Sequence, residues 1–135
     1  PVFVDIDISN MAISAKNIRD AITKDTIGIL LVHALGFNGL SNEIVNVART
    51  NKLILLEDCC ESHGAQYNGA FVGNTGLMSN FSFYFGHQFS TIEGGMINTD
   101  DEDLYHILLM LRSHGWGKDL PNDFRFFFFR FFVFF

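Results

Sequence analysis

Two short apolar stretches, IGILLV at residues 27–32 and LILL at residues 53–56, decide how this chain folds. Each is almost wholly apolar, which is typical of a strand that is covered on both faces in a parallel sheet. Between them, Ser41 and Glu43 begin a predicted helix that runs to about Asn51, because a Ser side chain can accept a free N–H at a helix start. Strand, helix and strand form the βαβ pattern, so the sequence predicts an α/β fold with a mainly parallel sheet.

The same alternation continues on both sides of this unit. Residues 2–6 (VFVDI) are rich in β-branched and aromatic residues and predict a buried strand. Ser14 precedes a predicted helix near residues 15–23, in which apolar residues recur at helical spacing. On the C-terminal side we expect strands at residues 80–85 and 95–99.

The segment at residues 101–113 (DEDLYHILLMLRS) predicts an amphipathic helix. Acidic residues stand in its first turn and Arg112 in its last, and both complement the helix dipole. We expect one domain, or part of one, since 135 residues of which 48% are hydrophobic can bury a sizeable core.

The end of the chain has a different composition. From Phe124 to Phe135, nine of twelve residues are Phe, a bias that no turn, cap or helical period explains. Exposed aromatic side chains at this density would aggregate. We interpret residues 122–135 as a truncated or aberrant end, with a genuine strand or a membrane-surface segment as the alternatives.

Charge and cysteine content exclude several classes of function. The formal net charge is −6 with only nine Lys and Arg, so no basic stripe is available for nucleic acid or for an anionic membrane surface. Cys59 and Cys60 are adjacent, which is not a disulfide framework and fits a reducing compartment. We expect a cytoplasmic protein, because neither a leader nor an apolar span of about 20 residues is present.

The histidines do not predict a metal site. His33, His63, His106 and His114 show neither HExxH nor paired-Cys spacing, so zinc is not expected.

Polar residues near the predicted strand ends are the candidates for chemistry. Ligands in open α/β sheets bind beyond the carboxyl ends of the strands. Asp58 follows one buried strand, Ser82 lies in a later one, and His87 lies in a Gly-flanked loop. A carboxylate can hold a protonated heterocycle nitrogen, and a hydroxyl can hold a phosphate. Each residue also has a structural interpretation: a solvated carboxylate, a hydroxyl bonded to backbone, and a partly exposed loop histidine.

Five strings, in order and at their present separations, resemble the sugar aminotransferase family of pyridoxal-phosphate enzymes, the DegT/DnrJ/StrS group. They are PVFVDID, LLEDCCESHGA, VGNTG, FSFYFGHQFSTIEGGM and LLMLRSHGW. The resemblance covers residues 1 to about 121, which it implies are part of a cofactor-binding large domain. It implies a fold-type I transferase whose large domain is a three-layer αβα sandwich around a mostly parallel sheet, with only part of that domain present.

The resemblance also implies roles for single residues. Asp58 stands where the family's Asp pairs with the pyridine nitrogen of the cofactor, and Ser82 stands where a hydroxyl contacts the cofactor phosphate. Glu61 occupies the position at which many members have a Gln near the 3′-oxygen of the cofactor, so its role is a departure from the pattern.

His87 is the departure that matters most. Ordinary members have at this position the Lys that forms the internal Schiff base, and imidazole has no primary amine. It can act as a general base near neutrality. Lys-to-His here resembles the nucleotide-sugar 3-dehydrases, which use pyridoxamine phosphate without a covalent bond. Many of these have a second His where this chain has Gln88.

The resemblance therefore implies a 3-dehydrase that removes the C3 hydroxyl from a nucleotide-linked 4-keto-6-deoxyhexose, with His87 taking a proton from the cofactor's C4′ carbon. The cofactor would be pyridoxal 5′-phosphate or pyridoxamine 5′-phosphate, and the active form a homodimer. A sugar aminotransferase and a non-catalytic binding or regulatory member are the alternatives. His87 argues against the former, and the retention of Asp58 and Ser82 argues against the latter.

Overall fold

The computed structural model of the chain describes residues 1–122. The predicted Phe-rich tail lies outside these residues, except for its first position. The chain divides into two compact units, residues 1–98 and a second unit that begins at residue 99. The first unit contains, in chain order, the following helices and strands: β1 (Ile6–Asp7), β2 (Ala12–Ile13), α1 (Ala15–Ala21), β3 (Gly28–Val32), α2 (Asn42–Thr50), β4 (Ile54–Asp58), β5 (Gln66–Tyr67), β6 (Ala70–Phe71), β7 (Met78–Ser82) and β8 (Gly95–Asn98).

The central sheet has four strands in the order β3, β4, β7, β8. β3 pairs with β4 and β4 pairs with β7 in parallel, whereas β7 pairs with β8 antiparallel. The two stretches that predicted the βαβ unit are therefore adjacent strands joined by the crossover helix α2. The predicted α/β fold is confirmed, with a mixed sheet of three parallel strands and the antiparallel strand β8 at one edge.

Side-chain caps fix the helix starts that the sequence predicted. Ser14 Oγ accepts a hydrogen bond from the N–H of Asn17 at 3.1 Å, and Ser41 Oγ accepts one from Ile44 at 3.2 Å. An oxygen at this position satisfies one of the N–H groups that a first turn leaves without a partner.

The hydrophobic core lies between α1, α2 and one face of the sheet. Because side chains alternate along a strand, every second residue of β3 and β4 points to the helices. Ile29, Leu31 and Leu55 are buried there against Ile18 and the apolar side of α2. The residues between them point to the opposite face and are about half exposed: Leu30 58%, Val32 46% and Ile54 44%. The described residues of this unit thus form the sheet and one helical layer of the expected sandwich.

The expectation of a buried strand at residues 2–6 is wrong. Val2 and Phe3 are 78% and 93% exposed, and only Ile6 and Asp7 form a strand, in a short hairpin with β2. Residues 1–5 have no neighbouring strand among the described residues, and a strand is stable only when its backbone groups are paired. The predicted strand at residues 80–85 is shifted and ends at Ser82, where a turn begins.

The second unit is described up to residue 122 and contains α3 (Glu102–Arg112). Asp101 caps this helix through Oδ1, which accepts a hydrogen bond from the N–H of Leu104 at 2.9 Å. The predicted helix is confirmed, with acids in the first turn and Arg112 in the last. Among the described residues, no helix is long and apolar enough to cross a membrane.

Candidate functional site at the carboxyl edge of the sheet

The strand register places Asp58 and Ser82 on the same face of the sheet. Asp58, the last residue of β4, is in register with Asn80 of β7, and Ser82 lies two residues further along that strand. Residues in register share a face, and so do residues two apart in one strand. Asp58, Asn80 and Ser82 therefore share the face opposite the helices, whereas Glu57 and Ser79 point towards the helices. Both predicted residues also lie at the carboxyl ends of parallel strands.

Asp58 is half-buried and is held by the start of the loop that follows it. Its Oδ1 accepts a hydrogen bond from the N–H of Cys60 at 3.1 Å, and its carbonyl oxygen accepts one from the N–H of His33 at 2.9 Å. The first bond closes a turn in which the Asp58 side chain takes the place of a backbone acceptor. The carboxylate is therefore oriented before any ligand arrives.

Ser82 ends β7 and begins the next turn. Its Oγ accepts a hydrogen bond from the N–H of Tyr84 at 3.2 Å, and its backbone is in register with Gly95 of β8. Since Oγ is the acceptor in this bond, the hydroxyl hydrogen remains able to donate. A phosphate oxygen is a suitable acceptor for it.

His87 closes the turn that follows Ser82. Its N–H donates to the carbonyl of Tyr84 at 3.0 Å, and the two rings lie edge to face with centroids 6.0 Å apart. His87 is partly buried, but its imidazole makes no hydrogen bond among the described residues. Its nitrogens are thus available for proton transfer.

Two loops at this edge of the sheet are in contact. The side-chain amide of Gln88 donates to the carbonyl oxygen of Glu61, and its Oε1 lies 3.3 Å from Nδ1 of His63. Gln88 follows His87 directly, and Glu61 is three residues after Asp58. The structure therefore links the loop that carries His87 to the loop that begins at Asp58.

The carboxylate of Glu61 is directed to a third loop. Its Oε2 accepts a hydrogen bond from the N–H of Leu35 at 2.9 Å, in the short 3₁₀ turn Ala34–Gly36. Leu35 has a positive φ of 56°. Glu61 thus supports the loop after β3, and its role at a cofactor stays a prediction.

Sequence reasoning missed a buried pair next to Asp58. His33 Nε2 lies 3.0 Å from Glu57 Oε2, and neither side chain is exposed. The N–H of Gly39 donates to His33 Nδ1 at 3.0 Å. Because Nδ1 is the acceptor, Nε2 carries the hydrogen and donates to Glu57. The imidazole therefore links the loop after β3 to the end of β4.

Glu57 also holds the loop that precedes β7. Oε2 accepts a hydrogen bond from Gly73, and Oε1 accepts bonds from Thr75 and Gly76, at 2.9, 2.8 and 2.6 Å respectively. Burial by itself raises the pKa of Glu57, but the hydrogen bonds from His33 and from the three backbone N–H groups outweigh burial and lower it. Glu57 is therefore ionised and fully satisfied. One signal in the sequence could have identified this role of Glu57: a Glu directly before a strand-end Asp, followed by the Gly-rich string VGNTG.

A cluster of His33, Glu57 and Cys59 does not fit a cation. One ligand atom of each lies within 4.8 Å of the others. However, one nitrogen of His33 accepts an N–H and the other carries a hydrogen, so the ring offers no free lone pair. Burial, followed by the charges of Glu57 and Asp58, raises the pKa of the Cys59 thiol to about 12. A thiol in this state is a poor metal ligand.

Comparison with known proteins shows the family to which the chain is similar. The model of the DegT/DnrJ/EryC1/StrS aminotransferase family matches residues 1–127. GDP-4-keto-6-deoxy-D-mannose 3-dehydratase of Escherichia coli O55:H7 is 46% identical over 120 residues, which are 89% of this chain and 31% of the relative. The chain thus spans about a third of the length of the curated relatives it matches.

A solved structure and a relative of different activity complete the comparison. The E. coli GDP-4-keto-6-deoxy-D-mannose-3-dehydratase with bound hydrated pyridoxal phosphate superimposes with a TM-score of 0.83 at 46% identity, covering 88% of this chain and 31% of that one. The dTDP-3-amino-3,6-dideoxy-alpha-D-galactopyranose transaminase of Aneurinibacillus thermoaerophilus is 37% identical over 93% of this chain and 35% of the relative. Dehydratases and transaminases therefore share this sequence pattern.

Proposed function

Since the chain belongs to the DegT/DnrJ/EryC1/StrS aminotransferase family, we propose that it forms part of the cofactor-binding large domain of a nucleotide-sugar 3-dehydrase. The reaction would remove the C3 hydroxyl from a nucleotide-linked 4-keto-6-deoxyhexose. The observation that carries the proposal is His87, an imidazole in the turn after Ser82 at the position where the family resemblance expects a lysine. Residues 1–121 would be the part of the large domain that this chain contributes.

The polar groups at the sheet edge fit pyridoxal or pyridoxamine phosphate. The oriented Asp58 carboxylate would accept the N–H of the pyridine ring, and the Ser82 hydroxyl, on the same face, would donate to the phosphate. When bound, the cofactor supplies an electron sink for carbanion chemistry. The anionic Asp58 favours the protonated ring nitrogen on which this depends.

His87 would move the proton. A neutral imidazole near pH 7 can accept a proton from the C4′ carbon of the cofactor. It can also return that proton, as an imidazolium, to a leaving hydroxyl. The absence of a hydrogen bond to this ring among the described residues leaves either nitrogen able to act.

A sugar aminotransferase is the second candidate. The Aneurinibacillus transaminase favours it, since that relative is 37% identical to this chain. However, the loop between β7 and β8, residues 83–94, contains no lysine. Internal capture of an aldehyde needs a primary amine, so His87 favours the dehydrase. A non-catalytic member would not need both Asp58 and Ser82.

The partner that we propose is a nucleotide-sugar, bound by a homodimer in the cytoplasm. The net charge of −6 and the lack of a basic stripe disfavour nucleic acid and membrane surfaces as partners.

A chimaera tests the proposal, because the chain spans a third of its relatives. In this chimaera the matching segment of the E. coli 3-dehydratase is replaced by the corresponding residues of this chain. It would be incubated with pyridoxamine phosphate, glutamate and GDP-4-keto-6-deoxy-D-mannose, and the products analysed by mass spectrometry. We expect a product that has lost one oxygen. A product in which an amino group replaces the C4 ketone would support the aminotransferase instead.

A further inference from the structure

We propose that Gln88 is a positioning residue that sets the place of His87 relative to Asp58. The inference deepens the proposed function and rests on it, since His87 is the base of that reaction. It is carried by two hydrogen bonds of the Gln88 amide to the loop after β4. The amide N–H donates to the Glu61 carbonyl oxygen, and Oε1 accepts from His63.

The direction of the second bond follows from chemistry. Oε1 of an amide is only an acceptor, so Nδ1 of His63 must carry the hydrogen in this 3.3 Å contact. In the neutral ring Nε2 is then a bare acceptor, and it is buried with no hydrogen-bond partner among the described residues. Gln88 therefore satisfies the one nitrogen of His63 that donates.

Three aromatic rings fix the imidazole of His63. Phe81, Phe83 and Phe89 lie with their ring centroids 5.5, 5.9 and 5.4 Å from that of His63. Phe81 and Phe83 flank Ser82 in sequence. Two of the three rings that contact His63 therefore come from the end of β7 and the residue that follows it. The packing thus holds the His63 ring in place, and the hydrogen bond to this ring in turn holds the Gln88 amide in place.

Much of the loop that carries His87 is exposed. Phe85, Phe89 and Ile92 are 68%, 64% and 77% exposed, and Ile92 has a φ of 74°, which is unfavourable for a β-branched residue. The His87 ring contacts Tyr84 edge to face but makes no hydrogen bond among the described residues. The Gln88 bridge supplies the hydrogen bonds that join this loop to the one that begins at Asp58, beside the packing of Phe83 and Phe89 against His63.

The rate of a proton transfer depends steeply on the position of the base. The donor carbon and the accepting nitrogen must lie about 3–3.5 Å apart, and a displacement of about 1 Å can cost a factor of about 100 in rate. Gln88 touches neither reacting atom in this scheme. It acts through its neighbour, by holding the backbone from which the imidazole projects.

The test uses the chimaera with Gln88→Leu, Gln88→Glu and His63→Phe. Leu keeps the size of the side chain without either bond, and Glu keeps the acceptor for His63 but cannot donate to Glu61. Phe keeps the aromatic packing of His63 but removes its N–H. Gln66→Leu, at the chain's other glutamine, an exposed residue of β5, is the matched control.

Two measurements are made on each variant. The first is kcat and KM for the nucleotide-sugar. The second is the rate at which diethyl pyrocarbonate modifies His87 without cofactor or substrate, followed by peptide mass mapping. This second measurement does not require the protein to be a dehydrase. It therefore separates failure of the positioning inference from failure of the proposed function.

Loss of the bridge should lower kcat roughly 10- to 100-fold with KM within about twofold, and should speed modification of His87 about threefold by populating an open loop. Gln88→Leu combined with His63→Phe should cost little more than Gln88→Leu alone, since His63→Phe removes a bond that Gln88→Leu has already removed. Gln66→Leu should change nothing. Wild-type kcat and wild-type His87 reactivity in Gln88→Leu, or fully additive losses in the double variant, would overturn the inference.

Discussion

His33 and Glu57 are joined by a 3.0 Å hydrogen bond between Nε2 and Oε2, and both side chains are completely shielded from solvent. Gly39 fixes one side of the imidazole, and the backbone of residues 73–76 surrounds the carboxylate. Three separate stretches of chain are thereby held together one residue before Asp58. The pair is a structural support for the edge of the sheet at which we place the chemistry.

Replacing Glu57 with Gln should lower the free energy of unfolding by about 2–4 kcal/mol. An amide cannot accept from all four donors, because its NH₂ group must face at least one N–H. Urea unfolding of the chimaera measures the loss at pH 7. Glu93→Gln, at an exposed residue of the β7–β8 loop, should change stability by less than about 0.5 kcal/mol.

The difference between wild type and Glu57→Gln should also depend on pH. Because the folded protein lowers the pKa of Glu57, the ionised carboxylate stabilises fully above the ordinary pKa of 4.5, and this stability is lost as the pH falls through the lowered folded value. Urea midpoints measured from pH 7 downwards should therefore converge in acid. A difference that stays constant across that range would contradict the assignment.

Asp58→Asn should abolish turnover far more than it weakens cofactor binding. The phosphate contacts would hold the cofactor, but a neutral amide cannot stabilise a protonated ring nitrogen as an anion does. We expect kcat to fall at least about 100-fold, the range of single electrostatic contacts in active sites. Asp58→Ala should fail similarly. Equal activity of wild type and Asp58→Asn on the 4-keto sugar would refute the role of Asp58.

Borohydride reduction tests the replacement of lysine by histidine. Wild-type chimaera treated with pyridoxal phosphate and then borohydride should carry no covalent adduct at position 87, whereas His87→Lys should carry one that peptide mass mapping locates. The lysine variant should also lose C3 deoxygenation, because an unperturbed amine is mostly protonated at pH 7 and is a poor base. Full dehydrase activity in His87→Lys would show that the proposed base is wrong.

Ser82→Ala should weaken cofactor binding by roughly 10-fold or more, since a hydrogen bond to a charged group contributes about 1.5–3 kcal/mol. Fluorescence titration with pyridoxamine phosphate measures the Kd. Ser79→Ala is the matched control in the same strand. Its hydroxyl donates to the Gly73 carbonyl at 2.8 Å on the opposite face, so its loss should reduce stability and leave the Kd unchanged. A weaker Kd in Ser79→Ala with an unchanged Kd in Ser82→Ala would reverse the assignment of the two faces.

The two cysteines should react slowly with iodoacetamide. Burial first, then the hydrogen bond with Asp58, raises the pKa of Cys60 to about 11, and the pKa of Cys59 is raised to about 12. Since the thiolate is the reactive form, labelling of Cys60 at pH 8 should be roughly 100-fold slower than for an ordinary thiol, and should still be rising at pH 10. Cys59, which is completely buried, should be slower still. A rate that levels off below pH 9, against glutathione as control, would contradict both values.

Much of the fold was predictable because its signals are local. The apolar stretches at residues 27–32 and 53–56 are strands, and Ser14 and Ser41 cap the helices that were expected after them. The same stretches show the limit of such reasoning. Continuous apolar residues predict cover on both faces of a strand, but Leu30 and Ile54 are about half exposed in the described residues. The strand expected at residues 2–6 is missing because pairing is a property of neighbours, which no local pattern contains.

The site was only partly predictable for the same reason. Asp58 and Ser82 were expected at the sheet edge, and the register adds that they share a face. The contacts of Glu61, Glu57 and Gln88 join residues between 16 and 27 positions apart. Whether a Glu accepts a hydrogen bond from a backbone N–H in a different loop is decided by tertiary packing. No spacing rule contains that information.

The two acids at the end of β4 serve opposite sides of the sheet only because a strand turns every successive side chain over. One inserted or deleted residue within residues 54–57 would exchange them: Glu57, which holds the VGNTG loop, would project to the face opposite the helices, and Asp58, to which we assign the cofactor contact, would project into the core. Evolution can therefore change the length of the loops around this edge, but not the length of β4. Protein engineers who transfer this edge to another sheet must therefore preserve the alternation of side chains along β4 before they transfer the site residues.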